Sequence, residues 1–181
     1  VVNMIAQKEI EATALITTKG FRDVLEIGRA YRYENIYDIN MEKPAPLVKR
    51  NLRFEVSERM NFMGEVLVPL NEAEVIAIVE NLKKRNIRAI AVCLMHSYAN
   101  PQHELEIKKI IHREWPEVYV SVSSEIIPQF REYERTSTTV INAYMMPNMA
   151  SHIVEFQQEM EKKQMAANCY MMQGNAGIMT F

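Results

Sequence analysis

The segment from Phe130 to Tyr144 combines charged and hydroxyl side chains with an apolar helical stripe. It carries two arginines, two glutamates and four serine or threonine hydroxyls. The stripe that follows them recurs at helical spacing, at Val140, Ile141, Tyr144 and Met145. The charged residues occupy the preceding turn, where the first amides of a helix need partners: Arg131, Glu132, Glu134 and Arg135. The pattern predicts either a partly buried charge network or the rim of a ligand site, and residue types alone do not separate the two.

A second group of polar side chains follows the apolar run Ile87–Met95: His96, Ser97, Tyr98, Asn100, His103 and Glu104. Ligands bind open α/β sheets at such strand ends. Metal binding or general-base catalysis is one interpretation. In the other, the serine and the asparagine build the turn, and the histidines bind backbone groups. His103 and Glu104 are neighbours on a predicted helix and diverge in direction, so no metal site is predicted.

The residues Ser123–Glu125 follow the next predicted strand, Val118–Val122. If this strand and Ile87–Met95 are parallel neighbours, His96 and Ser123–Glu125 lie at one crevice. The serines would then contact a phosphate or a substrate, although no base is fixed beside either hydroxyl for nucleophilic catalysis. The segment Thr17–Gly20 predicts a phosphate-binding turn at a helix entrance or a plain turn, because it lacks P-loop glycine spacing.

The order of elements predicts an α/β fold with an open, mainly parallel sheet and flanking helices. Strands are predicted at Ala12–Thr17, Leu52–Val56, Glu65–Val68, Ile87–Met95 and Val118–Val122. The second and third of these are expected to pair antiparallel across the turn at residues 61–64. Helices are predicted from Phe21, from Asn71 to about Asn86, and from Asn100–Pro101 to Pro116, and Arg29–Pro46 is predicted to be a long loop.

Pro147 is expected to open a second helix after the one that carries Tyr144, which gives a C-terminal helical pair. A strand at Cys169–Met172 and a turn at Gln173–Gly177 follow. We therefore expect an α/β part at residues 1–145, and a helix and strand leading into a further domain at residues 146–181.

Composition excludes several classes of protein. The net charge of -2 and the dispersed basic residues give no reason to expect nucleic acid or an anionic membrane as a partner. No apolar run reaches the roughly 18 residues of a membrane span, and no secretory leader is expected. Cys93 and Cys169 have no metal-type spacing and fit two buried thiols in a reducing cytoplasm. Because the chain starts at Val1 and stops at Phe181, just after a glycine-containing motif begins, we expect a segment of a longer polypeptide.

Several motifs together resemble the hydantoinase A family, in collinear order over nearly the whole chain. The matching segments are Ala14–Arg29, His96–Pro101, Ser123–Glu125, Arg131–Arg135 with Thr138–Val140 and Asn142–Tyr144, and Met172–Gly177. The family includes N-methylhydantoinase A, the N-terminal half of 5-oxoprolinase and the β subunits of acetone and acetophenone carboxylases. The resemblance implies an actin-like ATPase architecture of the ribonuclease-H type. It also implies that ATP phosphorylates an amide or enol oxygen of the substrate.

The same resemblance implies ATP and Mg²⁺ as cofactors of the full-length enzyme, a small cyclic-amide substrate and a larger hydantoinase B-type partner subunit. The family's two glycine-rich phosphate loops should lie before Val1 and after Phe181, and only Asn3 of the element after the first loop is found. The glycine count of 5 agrees with this. Gly174 and Ala176 also stand where the family more often has serine and glycine.

The sequence thus predicts the central part of the N-terminal domain of an ATP-dependent enzyme that acts on a hydantoin or 5-oxoproline. The expected site residues orient the substrate and stabilise charge rather than act as nucleophiles: His96, Ser123, Glu125, Arg131 and Arg135. The 181 residues alone are expected to be inactive and to bind no cofactor. Two alternatives remain open, a non-catalytic interaction module and the β subunit of an ATP-dependent ketone carboxylase.

Overall fold

The structure is a computed structural model, and it describes residues 13–29, 37, 44–163, 170–172 and 177–180. The chain divides into two compact units, residues 1–145 and 146–181. The strands are β1 Thr13–Thr18, β2 Arg53–Val56, β3 Arg59–Met60, β4 Val66–Val68, β5 Ala89–Cys93, β6 Tyr119–Val122, β7 Tyr170–Met172 and β8 Ile178–Thr180. The helices are α1 Val24–Ile27, α2 Glu72–Lys83, α3 Gln102–Glu114, α4 Ser123–Ile126 and α5 Glu132–Lys162, and a 3-10 turn covers Arg50–Leu52.

The first unit is built on a four-stranded sheet in the order β2-β1-β5-β6. Each of its pairings is parallel, which confirms the predicted α/β fold with an open, mainly parallel sheet. The two central strands, β1 and β5, are buried along their whole length. This is the expected state of parallel strands covered on both faces, and it explains why β5 is a continuous apolar run.

The two faces of β5 pack against different partners because its side chains alternate. Ile90 and Val92 lie in a core with the apolar stripes of α2 and α3. Ala89, Ala91 and Cys93 lie in a second core that includes residues of α5. The α2 helix begins as predicted, since the Asn71 side chain accepts a hydrogen bond from the Glu74 amide. Within the described residues, no helix combines the length and the apolar content needed to cross a bilayer.

The predicted antiparallel pairing of Leu52–Val56 with Glu65–Val68 is wrong. β2 forms the edge of the parallel sheet through β1, with Leu15 opposite Arg53. The partner of β4 is β3, with Arg59 opposite Val68. The turn between β3 and β4 packs against the chain after β5, because the Asn100 side chain donates a hydrogen bond of 2.9 Å to the Gly64 carbonyl.

The predicted second helix beginning at Pro147 is also wrong. A single helix, α5, runs from Glu132 to Lys162 with Pro147 inside it. A proline in the interior of a helix removes one backbone hydrogen bond, and here the helix continues through that loss. In the second unit, β7 and β8 pair antiparallel. Cys169 and residues 173–176 of the predicted turn lie outside the described residues, as does most of the predicted loop 29–46.

Glu74 joins α2 to the chain after β2, and this contact makes stability depend on pH. Its carboxylate accepts hydrogen bonds from the Ser57 amide at 2.6 Å and the Ser57 hydroxyl at 3.0 Å. The amide bond, more than the hydroxyl bond, holds the pKa of Glu74 below the ordinary value of 4.5. Because the pKa of Glu74 is lower in the folded than in the unfolded chain, the ionised carboxylate stabilises the fold. This stabilisation is fully present above the unfolded-state pKa, and it is lost as the pH falls through the folded-state pKa.

We predict that Glu74→Gln removes part of the acid dependence of stability. The gap in the free energy of unfolding between parent and variant should be largest near neutral pH, and it should shrink as the pH drops below about 4.5. Urea unfolding between neutral and acidic pH measures this gap. Glu80→Gln on the exposed face of α2 is the control, and it should show no such trend. A gap for Glu74→Gln that does not change with pH would contradict the prediction.

Candidate functional site

The carboxyl ends of β5 and β6 meet at one edge of the sheet, as the sequence predicts for parallel neighbours. The contact is direct, because the Ser97 and Ser123 hydroxyl oxygens lie 3.0 Å apart. His96 and Ser123 therefore belong to one edge, which we call the carboxyl edge and define by residues 94–98 and 123–124. Four residues of the edge are buried: Leu94, Met95, Ser97 and Ser123.

Glu104 is the buried acceptor that joins the two strand ends. One carboxyl oxygen accepts hydrogen bonds from the Leu94 amide at 2.8 Å and from the Ser123 hydroxyl at 2.7 Å. The other accepts from the Ser124 amide at 2.8 Å. Glu104 is fully buried on α3, so a single side chain supplies the partners that these donors need in the absence of water.

A second buried polar group joins β1 to the same edge. The Thr18 hydroxyl donates to Glu58 and accepts a hydrogen bond of 2.9 Å from the Met95 amide. The other Glu58 oxygen lies 2.8 Å from His103 Nδ1. The side chain of His103 binds Glu58, whereas the side chain of Glu104 binds the strand ends. His103 and Glu104 therefore point in different directions, as the sequence predicts.

His96 lies at the centre of the carboxyl edge, in a backbone conformation that is rare for a side-chain-bearing residue. Its φ is +58° and its side chain is half-buried. The carbonyl of His96 accepts hydrogen bonds from the amides of Ala99 and Asn100, at 2.9 and 3.3 Å. Nδ1 lies 3.2 Å from the Tyr98 hydroxyl. Residues held in such conformations are concentrated at functional sites.

Arg135 is buried beneath the edge, and its partners are not the predicted ones. Its guanidinium donates to the Leu94 carbonyl at 2.6 Å and to the Gln129 carbonyl at 2.9 Å. Its Nε also lies 3.5 Å from the sulfur of Cys93. Burial raises the pKa of that thiol, an effect that the charge of Arg135 opposes. Arg135 therefore fixes the end of β5 from the α5 side of the sheet.

The predicted charge network of Arg131, Glu132, Glu134 and Arg135 is wrong. Glu134 pairs instead with Arg29, through two hydrogen bonds of 2.7 Å that lower the pKa of Glu134. Arg131 is exposed beside Phe130. Charged side chains on a helix point toward solvent unless a partner inside the protein binds them. For Arg135 the partners are carbonyl groups. The sequence pattern does not reveal these partners.

The structure thus brings three predicted residues to one region: His96, Ser123 and Arg135. Glu125 lies apart from them, exposed and paired with Lys108 at 2.6 Å. Arg131 begins the turn that leads into α5, with a φ of +80°. Across the described ranges, no three His, Cys, Asp or Glu side chains are grouped to hold a metal ion.

Sequence reasoning misses Glu58 as a site residue, and it places Tyr98 in the polar group after β5 without giving it a role. Glu58 lies two residues after the last residue of β2, at the carboxyl end of a parallel strand. This position could have identified Glu58 as a candidate site residue. Tyr98 stands between His96 and Arg135 only because the chain turns at positions 96–100, and the Tyr98 ring centroid lies 5.4 Å from the guanidinium carbon.

The turn after β1 does not offer free amides to a phosphate. The Lys19 amide donates to the Val56 carbonyl at 3.0 Å, and the Gly20 amide donates to a Glu55 oxygen at 2.7 Å. The Phe21 amide donates to the Thr18 carbonyl at 3.0 Å. A phosphate cradle requires several unpaired amides that point at the anion. This arrangement favours the plain-turn interpretation of Thr17–Gly20 and does not fit the phosphates of ATP.

We predict that Glu104→Ala lowers the free energy of unfolding by about 3 kcal/mol or more, because two buried donors and one part-buried amide lose their acceptor. Urea denaturation followed by circular dichroism measures the loss. Glu106→Ala is the matched control on the same helix, where the side chain is only half-buried, and it should change stability by less than about 0.5 kcal/mol. Equal losses in the two variants would show that Glu104 does not hold the strand ends.

Comparison with known proteins places the chain in a family. Residues 1–115 match the hydantoinase/oxoprolinase N-terminal region, and residues 135–181 match a second profile, described as hydantoinase/oxoprolinase. The chain belongs to the hydantoinase/oxoprolinase family. An uncharacterised protein of Methanocaldococcus jannaschii is 46% identical over 91% of the chain and 24% of its own length.

Relatives with functional names include a caprolactamase and an acetone carboxylase. The caprolactamase subunit alpha of Pseudomonas jessenii is 31% identical over 97% of the chain and 25% of its own length. A crystal structure of the ATP-dependent caprolactamase from this organism has a TM-score of 0.82 and 32% identity, over 88% of this chain and 23% of that one. Nucleotide-free acetone carboxylase has a TM-score of 0.85 and 25% identity, over 99% of this chain and 27% of that one. The chain therefore spans about a quarter of the length of these relatives.

Proposed function

We propose that this chain forms part of an ATP-dependent enzyme that opens a cyclic amide such as a hydantoin, 5-oxoproline or a lactam. Family membership supports the class, and the ATP-dependent caprolactamase supports both ATP use and an amide substrate. The proposed chemistry is phosphorylation of the amide oxygen by ATP in the whole enzyme. The proposed architecture is the central part of an actin-like N-terminal domain, with residues 1–145 as its α/β part and residues 146–181 leading onward.

The observation that carries this proposal is the convergence of His96, Ser123 and Arg135 at the carboxyl edge. Strand ends of parallel sheets are the usual place for ligands. His96 is half-buried, and its ring contacts the Tyr98 ring edge-to-face, which orients the imidazole. The Ser123 hydroxyl is already bound to Glu104, which favours a positioning role over a nucleophilic one. Arg131 and Glu125 remain proposals as charge-stabilising residues nearer the rim.

ATP and Mg²⁺ are proposed as cofactors of the whole enzyme, and the turn after β1 does not supply a phosphate cradle for them. The amides of the turn after β1 are occupied. We therefore assign the chain's own residues to orientation of the amide substrate and derive no step through the nucleotide. A partner subunit and a cytoplasmic location are further proposals, supported by relatives named as subunits and by the buried free thiol of Cys93.

An ATP-dependent ketone carboxylase subunit is the second candidate function. The similarity to acetone carboxylase, with a TM-score of 0.85, favours it. Both reactions activate an oxygen atom of the substrate, an amide oxygen in one case and an enol oxygen in the other. The two functions differ in their second substrate, because a carboxylase requires bicarbonate and an amide hydrolase requires only water.

We predict that the protein expressed from its native gene, together with its partner subunit, releases ADP when a cyclic amide is added. A panel of hydantoin, 5-oxoproline and a lactam, assayed without bicarbonate, identifies the substrate. His96→Ala should lower turnover at least tenfold with folding intact, because loss of an orienting group acts on the reaction step. His112→Ala, exposed on α3, is the control and should retain activity. ADP release that requires a ketone and bicarbonate would replace the proposal with the carboxylase.

We also predict that the 181-residue chain alone binds no ATP at micromolar concentration. The physical reason is that its 5 glycines form no glycine-rich phosphate loop and the amides of the turn after β1 are paired. Isothermal titration calorimetry with ATP and Mg²⁺ measures this directly. Micromolar affinity would show that the chain carries a nucleotide site of its own.

A further inference from the structure

His96 is fixed by its backbone and its ring together. The φ of +58° requires support from neighbours, which the two amide bonds to its carbonyl provide. The imidazole meets the Tyr98 ring edge-to-face, with centroids 5.8 Å apart and an interplanar angle of 71°. A ring held this way presents its Nδ1 atom to the Tyr98 hydroxyl.

The Tyr98 hydroxyl has a defined role in its contact with His96. The two atoms lie 3.2 Å apart, and either one can donate. A phenol is a stronger donor than acceptor because its lone pairs delocalise into the ring, whereas an unprotonated imidazole nitrogen is a strong acceptor. The Arg135 guanidinium, 5.4 Å from the Tyr98 ring centroid, withdraws electron density from that ring and strengthens the donor further.

Burial and hydrogen bonds hold the Arg135 guanidinium in place near the Tyr98 ring. The residue is 1% exposed, and its guanidinium donates to the carbonyls of Leu94 and Gln129. A continuous series of contacts therefore runs from the buried end of β5 through Arg135 and Tyr98 to His96.

We infer that Tyr98 is a positioning residue that donates its hydroxyl proton to His96 Nδ1, so that Nε2 carries the imidazole proton. No residue in the described part of the chain forms a hydrogen bond with Nε2. The Nε2–H group then serves as a hydrogen-bond donor at the carboxyl edge, suited to orient a ligand through one of its oxygen atoms. The identification of that oxygen as the carbonyl oxygen of a cyclic amide rests on the proposed function. The assignment of the His96 tautomer does not rest on the proposed function.

The test is the tautomeric state of His96 in the ¹⁵N-labelled 181-residue chain, measured by NMR at mildly alkaline pH. His96→Gln identifies the signals of His96 among those of the 4 histidines. We expect the Nε2-protonated form in about tenfold excess, the ratio that one net hydrogen bond supports. Tyr98→Phe should lower this ratio several-fold. Tyr119→Phe, which also removes a half-buried phenol hydroxyl, is the control and should leave the ratio unchanged.

Two results would overturn the inference: a Nδ1-protonated His96 in the parent chain, or an unchanged ratio in folded Tyr98→Phe. If the Tyr98 variant does not fold, a Nδ1-protonated His96 in the parent chain still overturns the inference. The NMR measurement does not depend on ATP or on any substrate. Failure of the cyclic-amide assay with the expected tautomer present would therefore count against the proposed function and not against the role of Tyr98.

Discussion

The carboxyl group of Glu104 is the interaction on which the carboxyl edge depends. It accepts hydrogen bonds from the end of β5 and from the first residues after β6. Where strands end, amides lose their ladder partners, and burial without an acceptor costs about 1–3 kcal/mol for each group. One buried side chain from α3 satisfies three donors at once. It therefore sets the separation of the two strand ends and with it the spacing of His96 and Ser123.

Arg135 and Glu58 extend this arrangement to the neighbouring elements. Arg135 reaches the Leu94 carbonyl from α5, while Glu104 binds the amide of the same residue from α3. Leu94 is thus held on both of its backbone polar groups by side chains of opposite charge. Glu58 connects Thr18 of β1 with His103 of α3. The result is a rigid strand end directly before the strained residue His96, as a precise ligand-orienting site requires.

Features encoded in short stretches of sequence were predictable, and features that depend on distant partners were not. The apolar run of β5 and the Asn71 cap of α2 are local signals, and both predictions are confirmed. The pairing of β2 depends on β1, far away in sequence, so the hairpin prediction chose the wrong partner. The prediction at Pro147 followed a local preference that the surrounding helix overrides. The charged residues around Arg135 suggested a network among themselves, but Arg135 binds carbonyl groups and Glu134 binds Arg29, partners that only the fold brings near.

The central position of β1 has a consequence for how the first unit folds. Leu15 pairs with Arg53 on one side, and Ala14 pairs with Ile90 on the other. Neither neighbour of β1 is close to it in sequence, so the sheet forms only after long loops have closed, and the entropy of closure is lost before any pairing compensates for it. Helices α2 and α3 can form early from local contacts. Their apolar stripes can be buried only after the sheet has assembled. Folding of this unit is therefore expected to be limited by assembly of the sheet, at a rate slower than that of helical proteins of similar size.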